Sequence, residues 1–386
     1  MGGGTPKPDL SDAETNRKAS KENESPEYKY EPLPEGDYFR LLKLEPGTGE
    51  DPLVASLRPA QLRREAHEDR FEAISYVWGS NIKDQVITVD GKSLPITSNL
   101  RNSLRQVRSP DEPRQVWADS VCINQQNNQE KGQQVAAMGR IYQTSECTLI
   151  CLGSEPGFRQ HASDVAALIR EVEQRIDDVL EDPGFSRTWD GFPRPSADDA
   201  IVNDRRWQSW RELVDNPWFL RGWVVQEAAL GPDAKILWAG AEIRWMSLLR
   251  VSQWLAYRAS PQMRSSGPFW LSPLHVQKFK LERPDEDKTY WPEDAESRVG
   301  TLLALELLDY ARELKLSDPR DRIYAFMALP TKGDTMPALQ PDYEAHYLDV
   351  YQNFATTYLK LTSDLDLLLY VDGYEDTSLS NSQLAS

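Results

Sequence analysis

Short apolar runs alternate with helical patterns between residues 71 and 239 of this chain. Four such runs, each followed by a glycine or a polar loop, predict core strands at 71–78, 115–119, 147–152 and 234–239. Apolar residues at helical spacing predict helices after the N-cap residue Thr97 and from Glu130 onward. This β-α-β-α-β order is typical of a parallel sheet with helices on its faces. The sequence therefore predicts an α/β fold whose ligands bind beyond the carboxyl ends of the strands.

Further elements surround this predicted core. Residues 38–44 predict a strand that packs on the main domain, and residues 86–96 predict a small peripheral hairpin, because Asp90-Gly91 supplies the positive φ of a tight turn. Residues 155–208 interrupt the alternation with an amphipathic helix and a stretch rich in Pro and Asp. We interpret them as a helical insertion.

These patterns divide the chain into four parts. Residues 1–27 are rich in Gly, Pro, Ser and mixed charge, which predicts a disordered tail. The main domain spans 28–240 and contains the insertion. Residues 241–372 are predicted to be mostly helical, and the polar residues 373–386 are interpreted as a tail or linker.

Composition excludes several classes of protein. Hydrophobic residues make up 39% and aromatic residues 10% of the chain, as in globular proteins. The formal net charge of -17 opposes the phosphate neutralisation on which nucleic-acid binding depends. Apolar runs are far shorter than the ~20 residues of a membrane-spanning helix, and the N-terminus lacks the apolar segment of a signal peptide. We therefore predict a cytoplasmic protein with no membrane span and no nucleic-acid partner.

The cysteines and histidines indicate neither disulfides nor a metal site. If 147–151 is a strand, Cys147 and Cys151 lie ~13 Å apart, beyond the roughly 7 Å limit for a disulfide. Together with Cys122 they are predicted to be buried thiols in a reducing compartment. The four histidines are scattered without ligand spacing. A metal-dependent hydrolase built on Asp119 and Glu130 would lack a recognisable ligand cluster.

One pair of residues has a spacing that suits chemistry. Trp223 and Glu227 are four residues apart, so on a helix they share one face. Two interpretations stay open on spacing alone. Either the pair presents an aromatic plane and a carboxylate to one ligand, or Trp223 lies in the core while Glu227 caps the helix or pairs with Arg221. The chain lacks a Gly-rich phosphate loop, a Gly-x-Ser-x-Gly elbow and a His-Glu-x-x-His motif.

Five blocks in order resemble the signature of fungal heterokaryon incompatibility (HET) domains. They are Ala73-Ile-Ser-Tyr-Val-Trp-Gly79, Thr97-Ser-Asn-Leu-Arg-Asn-Ser-Leu104, Val116-Trp-Ala-Asp-Ser-Val-Cys-Ile-Asn-Gln125, Gln134-Val-Ala-Ala-Met-Gly-Arg-Ile-Tyr142 and Arg221-Gly-Trp-Val-Val-Gln-Glu227. The resemblance covers about 71–230. Residues 318–325 and 341–343 are similar to the region that often follows in such proteins.

The resemblance to HET domains implies a distant relation to Toll/interleukin-1 receptor (TIR) domains, some of which hydrolyse NAD. The implied fold is a TIR-like, flavodoxin-like parallel sheet flanked by helices. Residues 74–76 resemble the first TIR strand and residues 116–119 the second, with its terminal Asp119. Trp223 and Glu227 resemble the Trp and the catalytic Glu on the helix after the third strand.

This resemblance implies a set of site residues, and each has a simpler structural alternative. Glu227 would be catalytic, and the substrate-binding residues would be Tyr76, Trp78, Gly79, Asp119, Cys122, Asn124 and Trp223. The aromatic residues could stack on a nicotinamide or adenine ring, or they could serve packing. Asp119 could orient substrate hydroxyls or cap the following loop. Gly79 could admit a close backbone approach or make the turn, and Cys122 and Asn124 could serve only their loop. Glu130 is a competing carboxylate, with the alternative that the helix dipole favours an acid in the first turn.

Two functions follow as expectations. In the first, an effector of fungal non-self recognition and programmed cell death hydrolyses NAD, its substrate and not a cofactor, to nicotinamide and an ADP-ribose product. In the second, a non-catalytic scaffold signals by self-association. The expected partners are NAD, further copies of this chain and an upstream sensor protein.

Overall fold

One nine-stranded mixed sheet organises the chain in the computed structural model, which describes residues 26–62, 70–182, 184, 191–260, 263, 303–329, 331, 333 and 335–370. The strands are β1 Tyr38–Leu44, β2 Val54–Gln61, β3 Glu72–Tyr76, β4 Gln85–Val89, β5 Lys92–Ile96, β6 Arg114–Trp117, β7 Cys147–Cys151, β8 Ala234–Trp238 and β9 Ala241–Arg244. Their order across the sheet is β5-β4-β2-β1-β6-β3-β7-β8-β9. The predicted α/β class is confirmed.

The four predicted core strands lie side by side and parallel, in the order β6, β3, β7, β8. They are largely buried, as expected for strands covered on both faces. Their carboxyl ends meet at one edge of the sheet, where residues following β3 and β6 come together. This edge carries the candidate site.

The expectation of a parallel sheet is wrong outside this centre. β1 runs antiparallel to β2 and β6, and the outer pairs β4–β5 and β8–β9 are also antiparallel. In the two outer pairs a short connection causes this, because a two-residue turn can join only antiparallel strands. In both outer hairpins the two turn residues have positive φ, Asp90-Gly91 at 50° and 74° and Ala239-Gly240 at 44° and 93°. The 86–96 hairpin is therefore confirmed, but it belongs to the main sheet.

Helices cover both faces of the sheet. They are α1 Ser98–Val107, α2 Asp119–Cys122, α3 Asn128–Thr144, α4 Arg159–Glu181, α5 Arg206–Val214, α6 Val224–Ala229, α7 Trp245–Arg258, α8 Ala304–Tyr310, α9 Asp321–Tyr324 and α10 Tyr347–Thr362. On β7, Cys151 lies beside Ser103 of α1, whereas Thr148 donates a hydrogen bond to the Glu227 carbonyl of α6 at 3.0 Å. Because these β7 residues are three apart, their side chains point to opposite faces of the sheet. Helices α1 and α6 therefore lie on opposite faces.

The apolar core forms two clusters. The larger joins β1 to β7, α1 and α3 with buried residues of 304–367, including Phe326 and Tyr358. The smaller joins α4, α5 and α7 with β8 and β9 around buried tryptophans such as Trp210 and Trp254. The insertion thus builds a second core together with the helix after β9.

Several predicted boundaries need correction. The second core strand ends at Trp117, and Asp119 begins the short helix α2, because its neighbours Val121 and Cys122 turn back to be buried. Helix α3 begins at Asn128, two residues before Glu130, since the Asn127 side chain caps it. Residues 241–244 form a strand, where helix was expected. Strand β2 was not predicted.

The predicted tails lie largely outside the described residues. Residues 1–25 and 373–386 are not described, nor are 264–302 and 371–372 within the predicted helical region. Glu27, which the sequence places in the N-terminal tail, forms a bridge with Ser93. Among the helices of the described part, none has the length and apolar character to cross a membrane.

Candidate functional site

A buried hydrogen-bonded chain of three side chains forms the centre of the candidate site. Trp218 Nε1–H donates to Ser75 Oγ at 2.7 Å, and the Ser75 hydroxyl donates to Glu227 Oε2. Ser75 lies near the carboxyl end of β3, Trp218 in the 3-10 turn Pro217–Leu220, and Glu227 on α6. Glu227 is 3% exposed. Trp218 therefore orients Ser75, and Ser75 donates to the buried Glu227 carboxylate near the carboxyl ends of the strands.

The surroundings of Glu227 favour its neutral form at mildly acidic pH. Burial raises the pKa of Glu227 from 4.5 to about 7. The positive charge of Arg221 and the Ser75 hydrogen bond oppose this rise, and the negative charge of Asp119 adds to it. Arg221 is held in place because its guanidinium donates to the Tyr76 carbonyl at the end of β3.

The ends of β3 and β6 are joined by a second set of contacts. Trp78 Nε1–H donates to both Asp119 oxygens, at 3.1 and 3.2 Å, and the Tyr76 and Ser120 hydroxyls share a hydrogen bond of 2.5 Å. Burial raises the pKa of Asp119 and holds that of Tyr76 well above its ordinary value. The structure thus brings Tyr76, Trp78 and Asp119 together at the edge that holds Glu227. Asp119 also accepts from the Ser120 N–H, as the capping alternative predicts.

Trp223 and Glu227 do not direct their polar groups to one place. Trp223 precedes α6, and its Nε1–H donates to Asp321 Oδ2 at 3.0 Å. The other Asp321 oxygen accepts from the Tyr343 hydroxyl at 2.7 Å. The two side chains therefore do not serve one ligand face. The Trp223 N–H binds Asp321 in the C-terminal region, and the Glu227 carboxylate binds Ser75 on β3.

The remaining predicted residues serve the loops. Gly79 has φ +67°, and a Cβ there would lie 2.4 Å from the Asn99 amide nitrogen, so this turn requires glycine. Cys122 is buried, with its Sγ near the Ala118 N–H, and burial raises its pKa to about 12. Asn124 Oδ1 accepts from the Gln126 N–H at 3.2 Å within the same loop.

The competing carboxylate Glu130 forms a buried ion pair. Arg40 on β1 donates to both of its oxygens, at 2.5 and 3.0 Å. Glu130 also accepts from the Asn124 N–H at 2.8 Å, and the Arg40 Nη1 that binds Glu130 also donates to the Cys122 carbonyl at 3.2 Å. Glu130 thus anchors the loop after β6, at the start of α3, where the dipole also favours an acid.

Three residues of the site were not named as candidates from the sequence, namely Ser75, Trp218 and Asp321, and Arg221 was named only as a possible partner of Glu227. Ser75 lies inside a HET-like block, and a polar residue in an otherwise apolar strand was an available signal. Trp218 lies just before another such block. Asp321 is 98 residues from its partner Trp223, and no local pattern links them. Among the described residues, no group of three or more His, Cys, Asp or Glu could hold a metal ion.

Comparison with known proteins agrees with the resemblance read from the sequence. Residues 71–227 match the family described as Heterokaryon incompatibility protein (HET). Over 225 residues the chain is 29% identical to Heterokaryon incompatibility protein 6, OR allele, of Neurospora crassa. That alignment covers 51% of this chain and 32% of the relative, so the chain spans about a third of the relative's length. No solved structure matches this chain.

The matched span ends at Glu227 and includes Ser75, Tyr76 and Asp119. The hydrogen-bonded chain from Trp218 through Ser75 to Glu227 therefore lies wholly within it. Over residues 71–227, this chain is therefore similar to the heterokaryon incompatibility (HET) family.

Proposed function

We propose that this protein is an NAD glycohydrolase that acts in fungal non-self recognition and programmed cell death. The observation that carries the proposal is the Glu227 carboxylate, buried beside the carboxyl ends of β3 and β6 and hydrogen-bonded to Ser75. A role in incompatibility is supported by the HET match and by the name of the Neurospora relative. A cytoplasmic location and an upstream sensor belong to the same proposal.

The chemistry suits one fixed carboxylate. In the proposed step, the bond between nicotinamide nitrogen and ribose C1′ breaks, and its electron pair leaves with nicotinamide as a neutral molecule. Water adds to C1′ and releases a proton, which gives nicotinamide and ADP-ribose. The positive charge that develops on the ribose is stabilised by a nearby carboxylate, as in glycoside hydrolysis. No general acid is needed for this leaving group, so Glu227 acts in its ionised, carboxylate form.

The order of the parallel strands supports the comparison with TIR domains. Numbered along the chain, the four parallel strands β3, β6, β7 and β8 stand in the order 2-1-3-4, which is the order of the first four strands in flavodoxin-like sheets. In such sheets ligands bind where the strand order reverses, next to the first strand. Here that strand is β3, which carries Ser75 and Tyr76.

Burial of Glu227 implies a closed site. Because its side chain is 3% exposed, ribose can reach it only after residues at the end of β3 or in the following loop move. We propose that association of several copies of this chain drives this opening. The same burial favours the second candidate, a scaffold in which Glu227 is only a structural contact.

Nicotinamide release by the purified, concentrated protein distinguishes these two functions. We expect Glu227→Gln and Glu227→Ala to lower release from NAD by about a hundredfold or more, because the charge on the ribose loses its counterion. Chromatography of the products, with and without a crowding agent that promotes assembly, measures the rate.

The matched control is Glu212→Gln, a change of the same kind at an exposed position on α5. It should release nicotinamide at the original rate. Equal turnover by Glu227→Gln, or no turnover by the assembled original protein, would support the scaffold instead.

A further inference from the structure

The C-terminal region pairs with the segment that leads into the Glu227 helix. Lys315 N–H donates to the Leu220 carbonyl at 2.6 Å, and Gly222 N–H donates to the Lys315 carbonyl at 3.0 Å. The Leu316 side chain covers Gly222 so closely that a Cβ there would lie 2.7 Å from it. Residues 315–316 thus hold the backbone directly before α6, although they lie outside the matched HET span.

A buried carboxylate extends this contact to the first residue before α6. Asp321 accepts from Trp223 Nε1–H at 3.0 Å and from the Tyr343 hydroxyl at 2.7 Å. It is 7% exposed. The two donors belong to different segments of the chain. Through them Asp321 attaches the start of α6 to the C-terminal region. The Glu227 N–H in turn bonds to the Trp223 carbonyl, one helical turn earlier.

We propose that Asp321 is a positioning residue of the HET site, which acts through Trp223 to fix helix α6 and therefore the Glu227 carboxylate against Ser75. The inference deepens the proposed function and rests on it for its kinetic consequence, whereas its structural consequence is independent of any enzymatic activity. It extends the site beyond the matched span to Asp321 and its hydrogen-bond donor Tyr343.

Two positive groups lie beside Tyr343, the hydroxyl donor to Asp321. Lys131 of α3 lies over the Tyr343 ring, 3.7 Å from its centroid, and Arg320 lies 5.2 Å from the same centroid. Asp318 pairs with Arg320 inside its own segment. Two aromatic donors therefore contact Asp321 directly, and the charged residues stand behind Tyr343.

Hydrogen–deuterium exchange of residues 222–230 tests the positioning role. In Asp321→Ala we expect the amides of this segment to exchange about tenfold faster or more, because opening of α6 no longer breaks a buried hydrogen bond. Trp223→Phe removes the same bond from the other side and should give a similar increase. The double variant should add little further, as expected for residues that act as a pair.

Kinetics give the second readout. Asp321→Ala should lower kcat for nicotinamide release about tenfold or more with little change in KM, because a displaced carboxylate loses contact with the transition state. Asp321→Asn keeps an acceptor for Trp223 and should restore most of both properties. The matched control Asp318→Ala, three residues earlier, should leave exchange of 222–230 unchanged.

The outcomes separate the two proposals. Unchanged exchange in both Asp321→Ala and Trp223→Phe, or equal acceleration in Asp318→Ala, overturns the positioning role. Absence of nicotinamide release from the original protein overturns only the proposed hydrolysis, since exchange still decides the positioning role. If Asp321→Ala does not fold, Trp223→Phe and Asp321→Asn carry the test.

Discussion

At the scale of single residues, the site is defined by a carboxylate placed where its charge is costly. Glu227 is removed from water, and one hydroxyl donor and the nearby Arg221 offset only part of that cost, so its pKa lies near neutrality at about 7. A surface glutamate would need no such arrangement. The burial thus has a measurable consequence for stability.

Removing this charge should change how stability depends on pH. The folded pKa of Glu227 is raised from 4.5 to about 7, so the folded state binds a proton that the unfolded state has already lost in this window. The contribution of Glu227 to stability is therefore fully present below pH 4.5 and is lost as the pH rises through 7. We expect a loss of ~3 kcal/mol at 1.4 kcal/mol per pKa unit. Between pH 5 and 8 the free energy of unfolding, measured by urea titration, should decline less in Glu227→Gln than in the original protein.

Asp321 is the control for this measurement. Burial also raises the pKa of Asp321, to about 6. Asp321 therefore also makes the free energy of unfolding fall as the pH rises, and this effect remains in the Glu227→Gln variant. Parallel pH profiles for the two proteins would mean that Glu227 titrates in its ordinary range.

The position of the candidate carboxylate in the fold was more predictable from the sequence than its hydrogen-bond partners. The resemblance singled out Glu227, Tyr76 and Asp119, which the fold brings to one edge. Spacing on a helix also put Trp223 on the face of Glu227, but the Trp223 N–H binds Asp321 instead. Helical spacing fixes which residues share a side, whereas the partner of each depends on segments far away in the chain. Ser75 and Glu227 are 152 residues apart.

At the scale of elements, a buried ion pair holds the loop after β6. Arg40 of β1 and Glu130 of α3 are 5% and 9% exposed. Arg40 also donates to the Glu31 and Cys122 carbonyls, and Glu130 also accepts from the Asn124 N–H. The loop that carries Asp119 is thereby attached to both β1 and α3. Pairing, with the backbone bonds added, balances the cost of burying the two charges.

Removing one partner of this pair should be strongly destabilising. We expect Arg40→Ala to lower the free energy of unfolding by about 3–5 kcal/mol, because Glu130 keeps a buried charge with no counterion. Denaturant unfolding measures this change. The double variant Arg40→Met with Glu130→Leu should recover part of the loss, and a loss in Arg40→Ala below about 1 kcal/mol would contradict a buried pair of this strength.

Elements were predictable where a local pattern specifies them. Thr97 accepts from the Leu100 N–H as its N-cap position predicts, and buried Leu104 and Val107 follow at helical spacing. Strand β2 escaped prediction because Val54–Gln61 has no clean alternation and contains Pro59. Its position depends on pairing with β1, a contact that no local pattern encodes. The same applies to the antiparallel direction of β1 in the sheet.

At the scale of the whole molecule, the HET span contains only part of its hydrophobic core. Strand β1 lies between β2 and β6, and its residues Leu41 and Leu42 are fully buried in the larger cluster. Phe326 and Tyr358, from beyond the span, complete the same cluster. The structural unit is therefore larger than residues 71–227.

A fragment limited to residues 71–230 should fail to fold cooperatively. Burial of a large apolar side chain stabilises by ~1.5–3 kcal/mol, so the loss of only five such residues removes about 10 kcal/mol, a large part of the ~5–15 kcal/mol that holds a domain together. Near-ultraviolet circular dichroism and urea titration of the fragment and the full chain test this. A sharp unfolding transition in the fragment would show that the matched span is self-sufficient.

The interior position of β3 limits how another copy of the chain can act on the carboxylate. The outer strands of the sheet are β5 and β9, and β3 is separated from them by four and two strands. At ~4.8 Å per strand, a neighbour that lengthened the sheet sideways would add its backbone at least ~19 Å from Ser75. Lateral growth and access to ribose are therefore geometrically independent, and any activating neighbour must approach end-on, against the strand tips.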